Sequence, residues 1–346
     1  MLTRRLEGLG RSVGAVGLGC VGMSAEYNTA DIDDERSLAV LARAVELGVT
    51  LFDTADAYGP FTNESLLGRG LRQPGRDVVV ATKVGLVMEP GGPAPPAEPC
   101  GPAPPAGRRG PVPPAGRRGP VPLAGRRRAD PAHIRASCDA SLRRLGRDTI
   151  DLYYLHRVDP AVPLEVSWGA LADLVAAGKV RALGLCEVTA SELDRAHAIH
   201  PVSAVQSELS LWTRGPLAAV VPWCAEHGAA FVAYAPLGRG YLTGTVLRPA
   251  FQPDDIRFTN PRFTAGAIER NQALLTVIGR VARRHDATLA QVAIAWTLAQ
   301  GRHVLPIPGT KRVGYLEENC RAAELELTRD DLADLDAMPQ ATGHRY

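Results

Sequence analysis

Phe52-Asp53-Thr54-Ala55-Asp56-Ala57-Tyr58-Gly59 is the segment of this chain that indicates its fold most clearly. It closes a short apolar run, and a helical pattern with a period near 3.6 residues follows it. Similar apolar or β-branched runs recur along the 346 residues and predict strands at 15–19, 50–54, 78–84, 150–156, 182–187, 204–209, 230–235 and 303–307. Eight such units alternating with helices predict an α/β fold, a closed (β/α)8 TIM barrel.

Helical periodicity predicts the connecting helices. They are expected at 34–47, 63–71, 131–145, 164–177, 190–200, 216–227, 266–285, 288–300, 313–323 and 329–338. Thr189 and Glu192 have the spacing of a capping box at the start of one of them. Residues 2–13, with a turn at 8–10, are expected to form a hairpin that caps the floor of the barrel. The whole chain, 1–346, is therefore predicted to be a single barrel domain.

Composition favours a cytoplasmic protein that binds neither membrane nor nucleic acid. The N-terminus lacks an apolar core of signal-peptide length, and no apolar run approaches the roughly 18 residues that a membrane-spanning helix needs. Six cysteines without any Cys-x-x-Cys spacing argue against a disulfide framework and against a zinc site. The net charge is +2, but residues 89–129 carry seven Arg and two Glu, which leaves the remainder mildly acidic.

A nine-residue tandem repeat interrupts the barrel pattern. Gly-Pro-Ala-Pro-Pro-Ala-Gly-Arg-Arg at 101–109 recurs with small changes at 110–118 and 119–127. A unit this short and this rich in proline is not a solenoid repeat, so 89–129 is predicted to be an extended or disordered insertion after the third strand. A passive expansion of the loop is the favoured interpretation. A docking segment or a flexible lid is the alternative.

Gly17, Gly19 and Gly22 match the spacing of a dinucleotide-binding fingerprint, but the context argues against one. The fingerprint requires a helix that begins at the glycines and an acidic residue about 20 residues further on. Residues 23–33 have no helical periodicity, and the next predicted strand ends later than that. A tight turn at the mouth of the first strand is the preferred interpretation.

Four polar side chains stand at or just past the ends of the second, third and fourth predicted strands: Asp53, Tyr58, Lys83 and His156. The carboxyl ends of barrel strands share one rim, so these side chains are expected to converge. A tyrosine with a free pKa of about 10 becomes a better acid beside a cation, which Lys83 supplies while Asp53 holds it. Tyr58 is then the predicted proton donor, and His156 orients a carbonyl oxygen. Each residue alone would fit packing or a structural ion pair; their joint position favours carbonyl reduction.

The chain resembles the aldo-keto reductase superfamily, more narrowly its microbial and plant branch related to potassium-channel β subunits. The resemblance covers nearly all of the chain except the repeat. It is carried by the motifs at 52–59, 63–64, 82–84, 153–157, 234–240 and 307–312, followed by Glu318-Asn319. It implies that NADPH binds first and reduces an aldehyde or ketone, a small-molecule carbonyl substrate, while Tyr58 protonates the oxygen.

The resemblance also implies a set of cofactor contacts. Gln206 matches the residue that binds the nicotinamide carboxamide, and Tyr234 matches the ring that stacks on the nicotinamide. The other matching positions are Cys186, Glu187, Leu237, Gly238, Arg239, Gly240, Glu318 and Asn319. In two places the chain departs from the family: Cys186 replaces the usual Ser and loosens carboxamide binding, since a thiol is a weak donor, and Ala235 lacks the usual Ser hydroxyl.

A phosphate site is predicted independently after the eighth strand. Gly309 and Thr310 precede a helix whose first N–H groups are unpaired and whose dipole is positive at this end. Lys311 and Arg312 add the charge that a 2′-phosphate requires, so NADPH is favoured over NADH. The alternative is a solvated basic helix start.

A regulatory subunit that binds NADPH as a redox signal, like channel β subunits, is the alternative function. The absence of a long N-terminal gating segment favours the enzyme, and the repeat keeps a docking role open. Tyr27 and Trp212 are candidates for the substrate pocket, with packing at the rim as the alternative. The sequence indicates neither the substrate nor the oligomeric state.

Overall fold

The structure, a computed structural model, describes residues 1–72, 77–87 and 126–345. Twelve strands lie in this part of the chain. They are β1 (Thr3–Leu6), β2 (Arg11–Gly14), β3 (Leu18–Gly19), β4 (Leu51–Asp53), β5 (Val79–Val84), β6 (Leu86–Val87), β7 (Arg126–Arg127), β8 (Ile150–Leu155), β9 (Val180–Cys186), β10 (Ala204–Glu208), β11 (Ala230–Tyr234) and β12 (Val304–Pro306).

Eight of these strands form one parallel sheet whose spatial order follows the chain: β3, β4, β5, β8, β9, β10, β11 and β12. A parallel bridge between Gly19 and Gly309 joins the first strand to the chain just after the last. The N–H of Gly17 also donates to the Pro306 carbonyl at 2.9 Å. The sheet therefore closes on itself, and the predicted (β/α)8 barrel is confirmed.

Glycine is required at this closure because the two backbones nearly touch. A Cβ on Gly19 would lie 2.8 Å from the Ile307 carbonyl oxygen, and one on Gly309 would lie 2.8 Å from the Gly19 oxygen. After β3 the chain forms only a 3-10 turn at Val21–Met23, not an α-helix. The glycines at 17–22 thus serve barrel closure, which agrees with the rejection of the dinucleotide fingerprint.

The ten α-helices of the described residues match the ten predicted ones within a few residues. They are α1 (Asp34–Glu46), α2 (Thr62–Gly70), α3 (Pro131–Leu145), α4 (Leu164–Ala176), α5 (Ala190–His197), α6 (Val220–Glu226), α7 (Ala265–Arg284), α8 (Leu289–Ala299), α9 (Val313–Arg321) and α10 (Arg329–Asp336). The predicted capping box at Thr189 and Glu192 is confirmed.

The predicted helix at 216–227 is divided in two. A 3-10 turn covers Gly215–Ala218, and α6 begins only at Val220, because Ala219 has non-helical dihedral angles. Pro222 explains the break: it lacks an N–H, and its ring would clash with the carbonyl of Ala218 in a continuous helix.

Side chains along each strand point alternately into the barrel and toward the helices, so the core has two layers. On β8, Leu152 and Tyr154 belong to the cluster inside the barrel, whereas Tyr153 and Leu155 pack outward against the helices. Leu6 and Val13 of the β1–β2 hairpin pack with the inner cluster. The hairpin predicted to cap the barrel floor is thereby confirmed, and the opposite end, at the carboxyl ends of the strands, is left for a site.

Two further features follow from the described residues. None of their helices is both long and apolar enough to span a membrane. Five cysteines are free and buried there, and Cys100 lies outside the described residues.

Two short strands, β6 and β7, flank the Pro-rich insertion and pair as an antiparallel ladder. Leu86 pairs with Arg127 and Val87 with Arg126. The insertion was predicted at 89–129, of which 89–125 lie outside the described residues. From Arg126 the chain is ordered, contrary to that boundary, and the buried Ala129 donates its N–H to Asp159 at 3.1 Å.

Replacing residues 88–125 with Asn-Gly is expected to preserve the fold. Val87 and Arg126 are paired directly, so a two-residue turn can join them. We expect a melting temperature equal to that of the parent or several degrees higher, since shortening the loop lowers the entropic cost of closing it by up to about 3 kcal/mol. Thermal unfolding followed by circular dichroism is the measurement. Loss of soluble protein would show that the deleted residues contribute to folding.

Candidate active site

Lys83, at the carboxyl end of β5, is the centre of a buried hydrogen-bond network. Its Nζ donates to Asp53 Oδ1 at 2.5 Å, to the Thr54 carbonyl at 2.8 Å and to Tyr58 Oη at 3.0 Å. The Lys83 side chain is fully buried, and it also lies 4.7 Å from the centre of the Tyr58 ring. The strand ends therefore bring together three of the four residues that the sequence predicted.

Gln206, on β10, extends this network from the opposite side of the barrel. Its amide nitrogen donates to Asp53 Oδ2 at 2.7 Å, so both carboxylate oxygens of Asp53 have partners. The sequence predicted Gln206 as a carboxamide contact. The structure adds a positioning role, because Gln206 fixes the plane of the carboxylate that holds Lys83.

Charge and burial set the protonation states of this network. Burial alone would lower the pKa of Lys83, but Asp53 and Tyr58 raise it above its ordinary value, so the ammonium is maintained. Burial raises the pKa of the Tyr58 phenol, and this outweighs the opposing effect of Lys83. Lys83 thus lowers the pKa of Tyr58 as the sequence predicted, but desolvation of the phenolate dominates, so the net shift in the resting protein is upward.

His156 completes the group at the end of β8. Its ring lies edge-on to Tyr58, with centroids 5.8 Å apart. Burial, Lys83 and Arg157 lower the pKa of the imidazole well below its ordinary value, so it is neutral. Its Nδ1 atom is buried and has no hydrogen-bond partner. A neutral imidazole of this kind can donate one hydrogen bond to a carbonyl oxygen without competing for its proton.

The loop that carries Tyr58 is held by a buried amide. Asn63, in the first turn of α2, donates to the Cys20 carbonyl and to Ser24 Oγ, both at 2.8 Å. Its side-chain oxygen accepts from Thr54 Oγ1 at 2.6 Å. These contacts tie the loops after β3 and β4 together and fix the backbone on both sides of Tyr58.

The predicted phosphate site lies where α9 begins. The helix begins at Val313, three residues later than Thr310, and its N-cap Arg312 makes no side-chain cap. Its first N–H groups therefore lack a side-chain cap. Arg312 lies 5.7 Å from the Tyr315 ring. Lys311 instead turns toward the loop after β3, where its Nζ donates to the Tyr27 carbonyl at 2.9 Å, so the two basic residues differ in their surroundings.

The loop after β11, which the sequence predicted to contact the cofactor, has an unusual backbone. Gly238, Arg239 and Gly240 have φ angles of 55°, 56° and 93°, three consecutive residues in the left-handed region. Leu237 precedes them and packs against the core. Non-glycine residues avoid this conformation, so Arg239 is strained and held by its surroundings.

Glu208 and Arg345 belong to this region although the sequence analysis missed them. Glu208, at the end of β10, is buried and accepts from Arg239 at 3.2 Å and from Arg345 at 2.8 Å. Arg345 also bonds Glu187 and the hydroxyl of Tyr234. An acidic residue at a strand end was a readable signal for Glu208. Nothing in the sequence pattern indicated where an arginine near the chain end would lie.

Glu26 is a further residue that sequence reasoning missed. It lies in the loop after β3, and its Oε1 atom is buried without a hydrogen-bond partner. Burial raises the pKa of Glu26 to about 7, although Arg239, Arg157 and Lys83 lower it. Its field in turn acts on Tyr58. An acid whose charge acts on Tyr58 therefore titrates close to neutral pH.

The two pocket candidates differ in their contacts. Tyr27 is half-buried and lies 5.3 Å from the Arg257 guanidinium. Trp212 is buried and packs on Tyr241, with ring centroids 4.6 Å apart, and on Phe263. Trp212 thus has the contacts of a packing residue, the alternative that the sequence left open.

A family comparison settles the class of this barrel. The aldo/keto reductase family model matches residues 15–339. The chain belongs to the aldo/keto reductase family. The predicted family is therefore confirmed, whereas the narrower relation to potassium-channel β subunits is not.

Solved structures of the family share the fold over nearly the full chain. The glycerol dehydrogenase AKR11B4 from Gluconobacter oxydans is 27% identical with a TM-score of 0.80, and the match covers 96% of this chain and 94% of that one. AKR11C1 from Bacillus halodurans is 23% identical with a TM-score of 0.72, covering 99% and 98%. An aldo/keto reductase from Klebsiella pneumoniae, solved with NADP and acetate, is 24% identical with a TM-score of 0.68, covering 98% and 96%.

The remaining family positions lie at the same rim or on α9. Cys186 is buried at the end of β9, and burial raises the pKa of its thiol to about 12, so it is a neutral, weak donor. Ala235 has a φ of 49°, which places a strained turn directly after Tyr234. Glu318 and Asn319 lie on α9, the former partly exposed and the latter buried.

Lys83→Met is expected to destabilise the protein by about 3–5 kcal/mol, because it leaves the Asp53 carboxylate buried without its cation. Equilibrium denaturation in urea measures the loss. Adding Asp53→Asn should recover much of it. Lys179→Met, which breaks the exposed Lys179–Asp139 pair, is the matched control and should change stability little. If Lys83→Met and Lys179→Met lowered the free energy of unfolding equally, the buried Asp53–Lys83 pair would be no more important for stability than an exposed pair, contrary to this prediction.

Proposed function

We propose that the chain reduces aldehydes and ketones to alcohols with NADPH, using Tyr58 as the general acid. The observation that carries this proposal is the hydrogen-bond chain from Asp53 through Lys83 to Tyr58, with the His156 ring beside it. A buried phenol held by an ammonium at the mouth of a barrel is arranged to give up a proton, not merely to pack. The family match over 15–339 supports one catalytic domain.

The residues at the rim fit a dinucleotide. The uncapped start of α9 and Arg312 offer N–H groups and positive charge for the 2′-phosphate. Gly238 and Gly240 carry no side chains, so a diphosphate could approach the backbone closely at these two positions. Tyr234, Gln206 and Glu187 would hold the nicotinamide. The NADP in the Klebsiella pneumoniae structure agrees with this choice of cofactor.

When bound, NADPH supplies a hydride to the carbonyl carbon. The oxygen of the substrate then gains negative charge, and Tyr58 Oη donates its proton to it. Lys83 stabilises the phenolate that remains, since its ammonium lies 3.0 Å from that oxygen. Asp53 keeps the Lys83 ammonium charged, so the cation is already in place when Tyr58 loses its proton.

His156 orients the substrate in this scheme. Its neutral ring can donate one hydrogen bond to the carbonyl oxygen while Tyr58 supplies the proton. A charged imidazolium would compete as an acid, which the low pKa prevents. Both groups would then bind the same oxygen, which polarises the carbonyl.

Tyr58→Phe is expected to lower kcat by about a hundredfold or more, the usual effect of removing a general acid. NADPH oxidation with a panel of activated aldehydes and ketones is the assay, and NADPH binding should remain. Tyr153→Phe is the matched control. It removes a buried hydroxyl that has no hydrogen-bond partner and lies on the outward face of β8, so activity should be unchanged.

If the wild type binds NADPH tightly but neither protein turns over any carbonyl, the proposal fails. A redox-signalling subunit would then be the better interpretation. Equal activities of Tyr58→Phe and the wild type would reject Tyr58 as the proton donor while leaving reduction itself in place.

Arg312→Ala is expected to weaken NADPH binding about tenfold or more and to leave NADH binding unchanged. The variant removes a charged donor that only the 2′-phosphate can use. Fluorescence titration with each nucleotide measures the difference. Arg321→Ala, at the other end of α9, is the control. Similar losses for both nucleotides would show that Arg312 does not select the 2′-phosphate.

A further inference from the structure

The last residues of the described chain run back to the barrel mouth. Thr342 and Asn271, on α7, exchange two hydrogen bonds: the Thr342 N–H donates to Asn271 Oδ1 at 2.7 Å, and Asn271 Nδ2 donates to the Thr342 carbonyl at 3.1 Å. Asn260 donates to the Arg345 carbonyl at 3.0 Å. Both asparagines are buried, so side chains of the barrel fix the path of residues 342–345.

This path delivers the Arg345 guanidinium to three residues of the rim. Its Nε donates to Glu208 Oε2 at 2.8 Å, and its Nη1 donates to Glu187 Oε2 at 2.8 Å. Its Nη2 donates to Glu187 Oε1 and to Tyr234 Oη. The pairing with Glu187 is bidentate, the arrangement that gives arginine both strength and directional control.

The contacts of Arg345 affect the charge state of Glu187 and Glu208. Burial would raise the pKa of Glu187, but hydrogen bonds and charge from Arg345 lower it below its ordinary value. Arg239 and Arg345 likewise lower the pKa of the buried Glu208, against the effect of burial. Both carboxylates are therefore ionised. Without Arg345, Glu208 would keep its pair with Arg239, but the Glu187 carboxylate would lose its bidentate cation. Its negative charge would then face a region that is proposed to receive a dinucleotide with a negatively charged diphosphate.

We propose that Arg345 is a positioning residue for the cofactor, acting through Glu187 and Tyr234. Its guanidinium cancels carboxylate charge that would repel the dinucleotide and holds both side chains in the orientation that the nicotinamide requires. Glu187 can only accept hydrogen bonds, so a fixed orientation leaves its remaining lone pairs available to an amide N–H. The inference rests on the proposed function, since it takes the rim as the NADPH site.

The test measures NADPH affinity by fluorescence titration, which does not depend on turnover. Arg345→Ala is expected to weaken NADPH binding about ten- to hundredfold, as for the loss of charge-assisted hydrogen bonds. The NADPH affinity of Arg345→Lys should lie between those of Arg345→Ala and the wild type, because lysine keeps the charge but cannot form the bidentate pair. KM for NADPH should rise much more than kcat falls.

A coupling measurement separates positioning from a structural role of the tail. In a Glu187→Gln background, Arg345→Ala should cost severalfold less affinity, because one of the two carboxylates is gone. Arg284→Ala, which breaks the Arg284 pairs with Asp331 and Asp334 between α7 and α10, is the matched control and should leave NADPH affinity unchanged.

Two results would overturn the inference. Unchanged or tighter NADPH binding by Arg345→Ala would show that the guanidinium is only a structural contact or an obstruction. Equal losses in the wild-type and Glu187→Gln backgrounds would show that Arg345 does not act through Glu187. A wild type that binds no NADPH at all would instead reject the proposed function, so the two failures are distinguishable.

Discussion

The buried ion pair between Asp53 and Lys83 is the interaction on which the rest of the site depends. Neither charge is accessible to water, so each must be matched by a fixed partner. Gln206 occupies the other carboxylate oxygen, and the Thr54 carbonyl and Tyr58 hydroxyl occupy further Lys83 protons. Three strands and one loop must therefore keep a constant separation. The rigid closure of the barrel supplies it.

Charge pairing is repeated at the outer part of the same rim. Glu187 and Glu208 are compensated by arginines that arrive from a loop after β11 and from the end of the described chain. In the proposed reaction the inner pair would support Tyr58 as the proton donor, whereas the outer cluster lies where a dinucleotide would bind. Glu26 belongs to neither cluster, and its unpartnered oxygen leaves an acid near Tyr58 that titrates at about pH 7.

Local rules predicted most of the fold. Continuous apolar runs located all eight barrel strands, because both faces of these strands are buried. Period-3.6 patterns located all ten helices, because each helix places its apolar residues on one face. The failures have local causes. Pro222 divides a helix that periodicity made continuous. The tandem repeat concealed the ladder at Arg126, since two arginines carry no strand pattern.

The barrel, the family and the grouping of Asp53, Tyr58 and His156 with Lys83 could all be predicted from the sequence, because strand order and strand ends are encoded locally. Only the folded structure shows that Gln206 binds Asp53 and that Arg345 binds Glu187. It also shows that burial affects the pKa of Tyr58 more than Lys83 does. These contacts join residues more than a hundred positions apart, or depend on how much water remains around a group. No local sequence pattern encodes a long-range contact or the degree to which a group is buried.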